Sequence, residues 1–278
     1  MIEDSRDPFD DAAHAAPAPL RPKRKGLYVL PNAISLAALF AAFYAIVMAM
    51  NGRFEAAAYG IFASAVLDSL DGRVARMTHS QSAFGEQMDS LCDMVSFGAA
   101  PALIVYEWAL RDLGKWGWFP AFVYIAGAAL RLARFNTNIG VVDKRYFQGL
   151  PSPAAAALVM GLIWVADDAG LRGVTKIDWL AWTAFAVTLY AGLSMVTNAP
   201  FYSFKDVSFK QSVPFIVLVA IALGIAVINI HPPIVLFALF CIYGISGYAV
   251  YAYKKAKGKP VSVIATSTDE PEESGLHR

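Results

Sequence analysis

Charge is scarce in this 278-residue chain: Asp, Glu, Lys and Arg make up 16% of it, against 57% hydrophobic residues. The apolar residues fall in long blocks rather than at amphipathic spacing. That excludes a soluble domain and predicts an all-α, polytopic integral membrane protein. Cysteine is nearly absent. Cys92 and Cys241 lie far apart inside apolar stretches, which excludes a disulfide framework and gives no metal-site spacing. A net charge of +1 points to no nucleic-acid partner. Residues 1–26 contain no apolar stretch, so no signal peptide is expected and the first hydrophobic helix directs insertion.

What is present is a series of windows of about 20 mostly apolar residues, the length that crosses hydrocarbon. They number eight, at roughly 32–51, 54–77, 84–110, 117–136, 151–168, 177–197, 211–230 and 232–253. Three regions follow: a polar, basic, disordered tail over 1–26, a transmembrane catalytic domain over 27–255 and an acidic, disordered tail over 256–278. With the N-terminus inside, cytoplasmic segments hold 18 of the 23 lysines and arginines and outer segments hold Arg53, Arg111, Lys115, Arg172 and Lys176. That asymmetry fits an even number of spans with both termini cytoplasmic. The basic stretches PLRPKRK and KKAKGK are also suited to anionic membrane lipids. Trp116, Trp118, Trp179 and Trp182 fall near span ends, where interfacial aromatic belts lie.

The stretch LDSLDGRVARMTHSQSAFGEQMDSLCD, residues 67–93, is too acidic for its surroundings. Asp68 and Asp71 are three apart at the end of the second span, and Gly85, Asp89 and Asp93 are spaced four and four at the start of the third. Each set shares a helix face. A short connection makes the two helices an antiparallel pair and brings the four carboxylates together at the membrane boundary. Acids at such depth cost several kcal/mol each unless paired. Arg73 and Arg76 are too few to neutralise them. An all-carboxylate set suits one or two Mg²⁺ or Mn²⁺ ions, and such ions cradle a diphosphate. Gly72 and Ala75, on the same side, leave room for a ligand. His79 reads as a loop histidine.

Asp68-x-x-Asp71-Gly72-x-x-Ala75-Arg76, eight residues, then Gly85-x-x-x-Asp89-x-x-x-Asp93 resembles, without departure, the signature of the CDP-alcohol phosphatidyltransferase family. The resemblance implies that Asp68, Asp71 and Asp89 bind the metals. It also implies that Asp93 lies near them and acts as general base. Gly72, Ala75, Arg76 and Gly85 would hold the CDP moiety together with Asp68. Asn32, at the mouth of the first span, resembles a position near the nucleotide and is also an ordinary helix start. The implied reaction is attack of an acceptor hydroxyl on the lipid-linked phosphorus of CDP-diacylglycerol, with CMP leaving. A homodimer in a bacterial inner membrane, with its active site facing the cytoplasm, is the corresponding expectation.

The acceptor is read from ALRLARFNTN and FQGLPSPAAA. Arg131 and Arg134 can share a face and, with Asn136, hold a carboxylate or phosphate; equally, they are topological charges. The stretches resemble those of phosphatidylserine synthases, which implies L-serine. Glycerol 3-phosphate and an inositol phosphate are the alternative acceptors. Two other classes remain weaker. Prenyl-diphosphate transferases generally split their acidic motifs across distant helices, and a cation transporter would carry acids near the bilayer middle in several spans.

Overall fold

The structure, a computed structural model, describes residues 29–78, 80, 82–137, 146–171, 178–203 and 215–257. The predicted N-terminal tail, the C-terminal one beyond Lys257, His79, Asn138 and the basic residues Lys144, Arg145, Arg172, Lys176, Lys205 and Lys210 lie outside the described residues. Each of the eight apolar segments contains helix. In chain order these are α1 (Val29–Met50), α2 (Phe54–Met77) and α3 (Ala83–Asp93), which continues through a π-helical segment (Met94–Ala99) into α4 (Ala100–Trp108). A 3-10 segment (Leu110–Trp116) leads to α5 (Trp118–Thr137), β1 (Tyr146–Gln148), α6 (Ser152–Asp168), α7 (Asp178–Val196), β2 (Pro200–Tyr202), α8 (Phe215–Ile230) and α9 (Pro232–Ala256).

Among the described residues, four helical stretches are long and apolar enough to cross a membrane: Leu30–Met50, Ala83–Trp108, Trp179–Val196 and Pro232–Ala256. The remaining rods differ for identifiable reasons. α2 and α5 carry charge in their last turns, while α6 and α8 extend over 17 and 16 residues. The protein is a helical integral membrane protein, and its sheet content among the described residues is one two-stranded ladder.

Small residues set the packing. Ala38, Ala42, Ala45 and Ala49 form a buried stripe on α1, against buried Ala57, Ala58 and Ile61 on α2. A methyl group on Gly60 would sit 2.9 Å from the Ala41 carbonyl oxygen, so the two backbones approach closely, as membrane helices with small residues do. Ser64 Oγ donates to the Ala38 carbonyl at 2.8 Å and so pairs its polar group within the seam. α5 and α7 meet in the same manner through Gly127 and Gly192, where a Cβ on Gly192 would fall 2.8 Å from Tyr124 Cα. α6 is buried nearly all round, as a helix apolar on every face requires, and packs against α2, α4, α7 and α9.

Two features depart from the sequence expectation. The third span is not one uninterrupted α-helix. Pro101 lacks the N–H that would pair with the Phe97 carbonyl four residues earlier, and its ring crowds that carbonyl. The chain widens into the π segment just before it, and Tyr124 Oη of α5, fully buried, donates to the Phe97 carbonyl at 2.9 Å. One extra residue in a turn re-phases the helix by about 100°. The acid-bearing α3 and the core-filling α4 therefore present different faces. Second, β1 pairs antiparallel with β2, Phe147 opposite Phe201. Gly149 follows at φ 77°, and the Leu150 N–H donates to the Ser194 carbonyl at 3.0 Å. This turn docks the start of α6 against the end of α7.

Candidate active site

The last turns of α2 and the whole of α3 build the site. Ser82 caps α3, its Oγ accepting from the Gly85 N–H at 3.0 Å, which fixes where the Gly85, Asp89 and Asp93 face begins. One carboxylate oxygen from each of Asp68, Asp71 and Asp89 lies within 4.8 Å of the other two. Asp93 faces Asp68 at hydrogen-bonding range. The four acids thus converge as the helical spacing predicts, with Asp93 beside the trio.

Among the described residues, no lysine or arginine forms an ion pair with any of these four acids. Asp71, only 4% exposed, accepts a hydrogen bond from Ser35 Oγ at 2.6 Å. Asp89 Oδ1 and Asp93 Oδ1 are buried without a hydrogen-bond partner. Crowded, largely part-buried carboxylates without an ion-pair partner repel one another. Their orphaned oxygens and all-oxygen donor set fit a hard divalent cation. Arg73 is exposed and Arg76 stands at the mouth of the site rather than among the acids.

Beside the trio opens a cavity of about 510 Å³ whose wall includes Asn32, Asp71, Gly72, Ala75, Arg76, Gly85 and Asp89. All the sequence-predicted nucleotide residues except Asp68 therefore line one space. A Cβ on Gly72 would meet nothing nearer than Arg76 Nη1 at 3.8 Å, so its side of α2 is open to a ligand. At Gly85 the added atom would stand 3.2 Å from both Asn32 Oδ1 and Ser82 Oγ, which places Asn32 of α1 directly against α3. Ser35, Ser80, Ser82 and Glu86 also line the cavity, and the motif reading did not include them. Ser35 carried a readable signal: it lies one helical turn after Asn32 and one before the buried alanine stripe.

The second group separates. Arg131 Nη1 donates to Ser152 Oγ at 2.9 Å, its Nε is buried without a partner, and the guanidinium lies close enough to Asp93 to interact with its charge. Arg134 instead donates to the Val196 carbonyl at 3.1 Å and to Asn198 Oδ1 at 3.2 Å, tying α5 to the end of α7. Asn136 Nδ2 donates to Ser90 Oγ at 3.1 Å and links α5 to α3. Of the three, Arg131 alone faces the acids with an unused donor.

The trio could hold a metal ion, and a ligand-sized cavity and the Asp93 carboxylate lie beside it. A CDP-diacylglycerol-serine O-phosphatidyltransferase from Helicobacter pylori is 36% identical over 220 residues, 79% of this chain and 90% of that protein. One from Methanocaldococcus jannaschii is 32% identical over 68% of this chain and 82% of its own length. A solved structure, the phosphatidylinositol phosphate synthase of Mycobacterium tuberculosis with CDP-DAG bound, aligns with 62% of this chain and 87% of its own at 18% identity and a TM-score of 0.48. The family profile of the CDP-alcohol phosphatidyltransferases matches residues 28–193, from the mouth of α1 through the acids and the Arg131 group into α7, and this chain belongs to that family.

Proposed function

We propose that this chain moves the phosphatidyl group of CDP-diacylglycerol to the hydroxyl of L-serine, giving phosphatidylserine and CMP by direct displacement. The observation that carries this reading is the convergence of Asp68, Asp71 and Asp89 beside a cavity of about 510 Å³ walled by the motif's small residues. The names of the relatives and the RLARFN and GLPSP stretches favour serine over glycerol 3-phosphate or an inositol phosphate.

One or two Mg²⁺ or Mn²⁺ ions held by Asp68, Asp71 and Asp89 would neutralise charge on the diphosphate oxygens. Gly72, Ala75 and Gly85 admit the nucleotide, Asn32 flanks it, and Arg76 reaches a phosphate from the cavity wall. Asp93 has a free carboxylate oxygen and accepts the proton of the serine hydroxyl. The serine oxygen bonds to the lipid-linked phosphorus as the bond from that phosphorus to the CMP oxygen breaks. Arg131, with its unused Nε, holds the serine carboxylate. Arg134 and Asn136 keep α5 in place to present it.

The same reading sets eight helices across a bacterial inner membrane, both termini and the site on the cytoplasmic side, and pairs two chains as a homodimer. Purified full-length chain, supplied with CDP-diacylglycerol and Mn²⁺ or Mg²⁺, is offered serine, glycerol 3-phosphate and inositol phosphate separately while CMP release is followed. Release with serine alone is expected. No CMP with any acceptor would overturn the transfer reading, and release only with another alcohol would replace serine.

A further inference from the structure

Ser35 stands outside the signature, on a helix that contributes none of the four acids, yet it touches one of them. It is 5% exposed, and its Oγ lies 2.6 Å from Asp71 Oδ2. The same oxygen is 3.2 Å from the Pro31 carbonyl four residues earlier on its own helix. A serine inside a helix commonly returns its proton to such a carbonyl. Here the carboxylate is much nearer, and a hydrogen bond to a charged acceptor is about twice as strong as one between neutral groups. The hydroxyl therefore spends its single proton across the α1–α2 seam. The surrounding seam is rigid, because Ala38, Ala42 and Ala45 are buried and Gly60 brings the two backbones together. Ser35 Oγ is thus a fixed point, and it holds one oxygen of a carboxylate that belongs to the trio.

A carboxylate otherwise turns about its last bond, since such torsions are broad. Three acids gathered at one point bind a cation well only if their oxygens are held toward it. We infer that Ser35 is a positioning residue: by fixing the Asp71 carboxylate from α1, it sets the affinity of the Asp68, Asp71 and Asp89 trio for a divalent cation. The inference rests on the proposed cation-binding role of that trio. It makes α1 part of the metal centre, beyond the nucleotide wall that Asn32 provides.

The test uses full-length protein in detergent, stripped with chelator and titrated with Mn²⁺ while free Mn²⁺ is followed by its paramagnetic resonance signal. Ser35→Ala should weaken binding about tenfold or more, the range seen when a ligand's hydrogen-bond partner is removed. Ser35→Thr, which keeps the hydroxyl, should bind within about threefold of the wild type on the same reasoning. Ser35→Ala also strips a buried donor from Asp71, so the metal-free thermal unfolding midpoint should fall in Ser35→Ala and recover in Ser35→Thr. Unchanged Mn²⁺ affinity in Ser35→Ala would overturn the inference alone. So would a loss of metal-free stability that accounts for weaker binding and is not rescued by Ser35→Thr. A wild type whose Mn²⁺ binding is indifferent to Asp71→Asn would overturn the metal role of the trio, and this inference with it.

Discussion

Asp93 leaves Oδ1 buried and unpartnered while its carboxyl faces Asp68, and the proposed transfer uses it as the base. Replacing it with Asn keeps the volume and removes both the negative charge and the proton acceptor. Asp93→Asn should keep the helical circular dichroism of the parent and lose about 10²- to 10⁴-fold in CMP release, the usual worth of a positioned base; wild-type rates would end that assignment. The two arginines should diverge as sharply. Arg131→Ala removes a charged hydrogen-bonding group worth about 1.5–3 kcal/mol, so KM for serine should rise about ten- to hundredfold. Arg134→Ala breaks the bonds to Val196 and Asn198, and should lower the thermal midpoint while leaving KM for serine near its parent value. The sequence spoke clearly for the acids, because four carboxylates at helical spacing in an apolar chain have few other uses. It could not separate Arg131 from Arg134. Their difference lies in which distant partner each one meets, the Ser152 hydroxyl of α6 or the end of α7, and one sequence carries no record of that.

The π segment behind Asp93 shows how an element answers a single residue. Pro101 leaves the Phe97 carbonyl without a donor, and Tyr124 Oη supplies one at 2.9 Å from a fully buried position. Tyr124→Phe strands that carbonyl and should cost about 1–3 kcal/mol of stability, read as a fall in the thermal midpoint. Adding Pro101→Ala restores an N–H four residues on, so the α-helical bond can close. The double variant should regain most of the lost stability. Its turn would then narrow and swing α3 away from α4 by about 100°, so CMP release should stay low. Recovery of activity together with stability would show that the wide turn does not aim the acids. This device was only half readable. A proline inside an apolar run announces a break, yet whether the helix kinks, stops or widens depends on the tyrosine waiting on α5. The β1–β2 ladder was not readable at all, since three-residue strands are set by the docking of α6 and α7 rather than by hydropathy.

The ends of the helices sort into two groups by what they touch. Asn136 reaches Ser90 on α3, and Arg134 meets Asn198 beyond α7. The acid site, the end of α5 and the β1–β2 ladder therefore share one side. On the other, the Tyr59 ring of α2 lies 4.7 Å from that of Trp164 near the end of α6, and His231, between α8 and α9, lies 3.8 Å from Asp168. The proposed eight crossings would give an alternation of this kind, and four helices reach the length and apolarity of a span among the described residues. Of the others, α2 and α5 carry charged residues, and α6 and α8 extend over only 17 and 16 residues. In the proposed topology, which puts 18 of the 23 lysines and arginines inside and five outside, the acid side faces the cytoplasm. Arg53, at the α1–α2 turn, and Thr137, at the end of α5, are both exposed and lie on opposite sides. In right-side-out membrane vesicles, a membrane-impermeant maleimide should label Arg53→Cys directly and Thr137→Cys only after the membrane is opened. Native Cys92 is buried and Cys241 lies within α9, so the parent chain defines the background. Labelling of both positions from one side would break the eight-crossing arrangement. The reverse pattern would keep the crossings but place the acids, and with them the CDP-diacylglycerol site, on the face away from the cytoplasm.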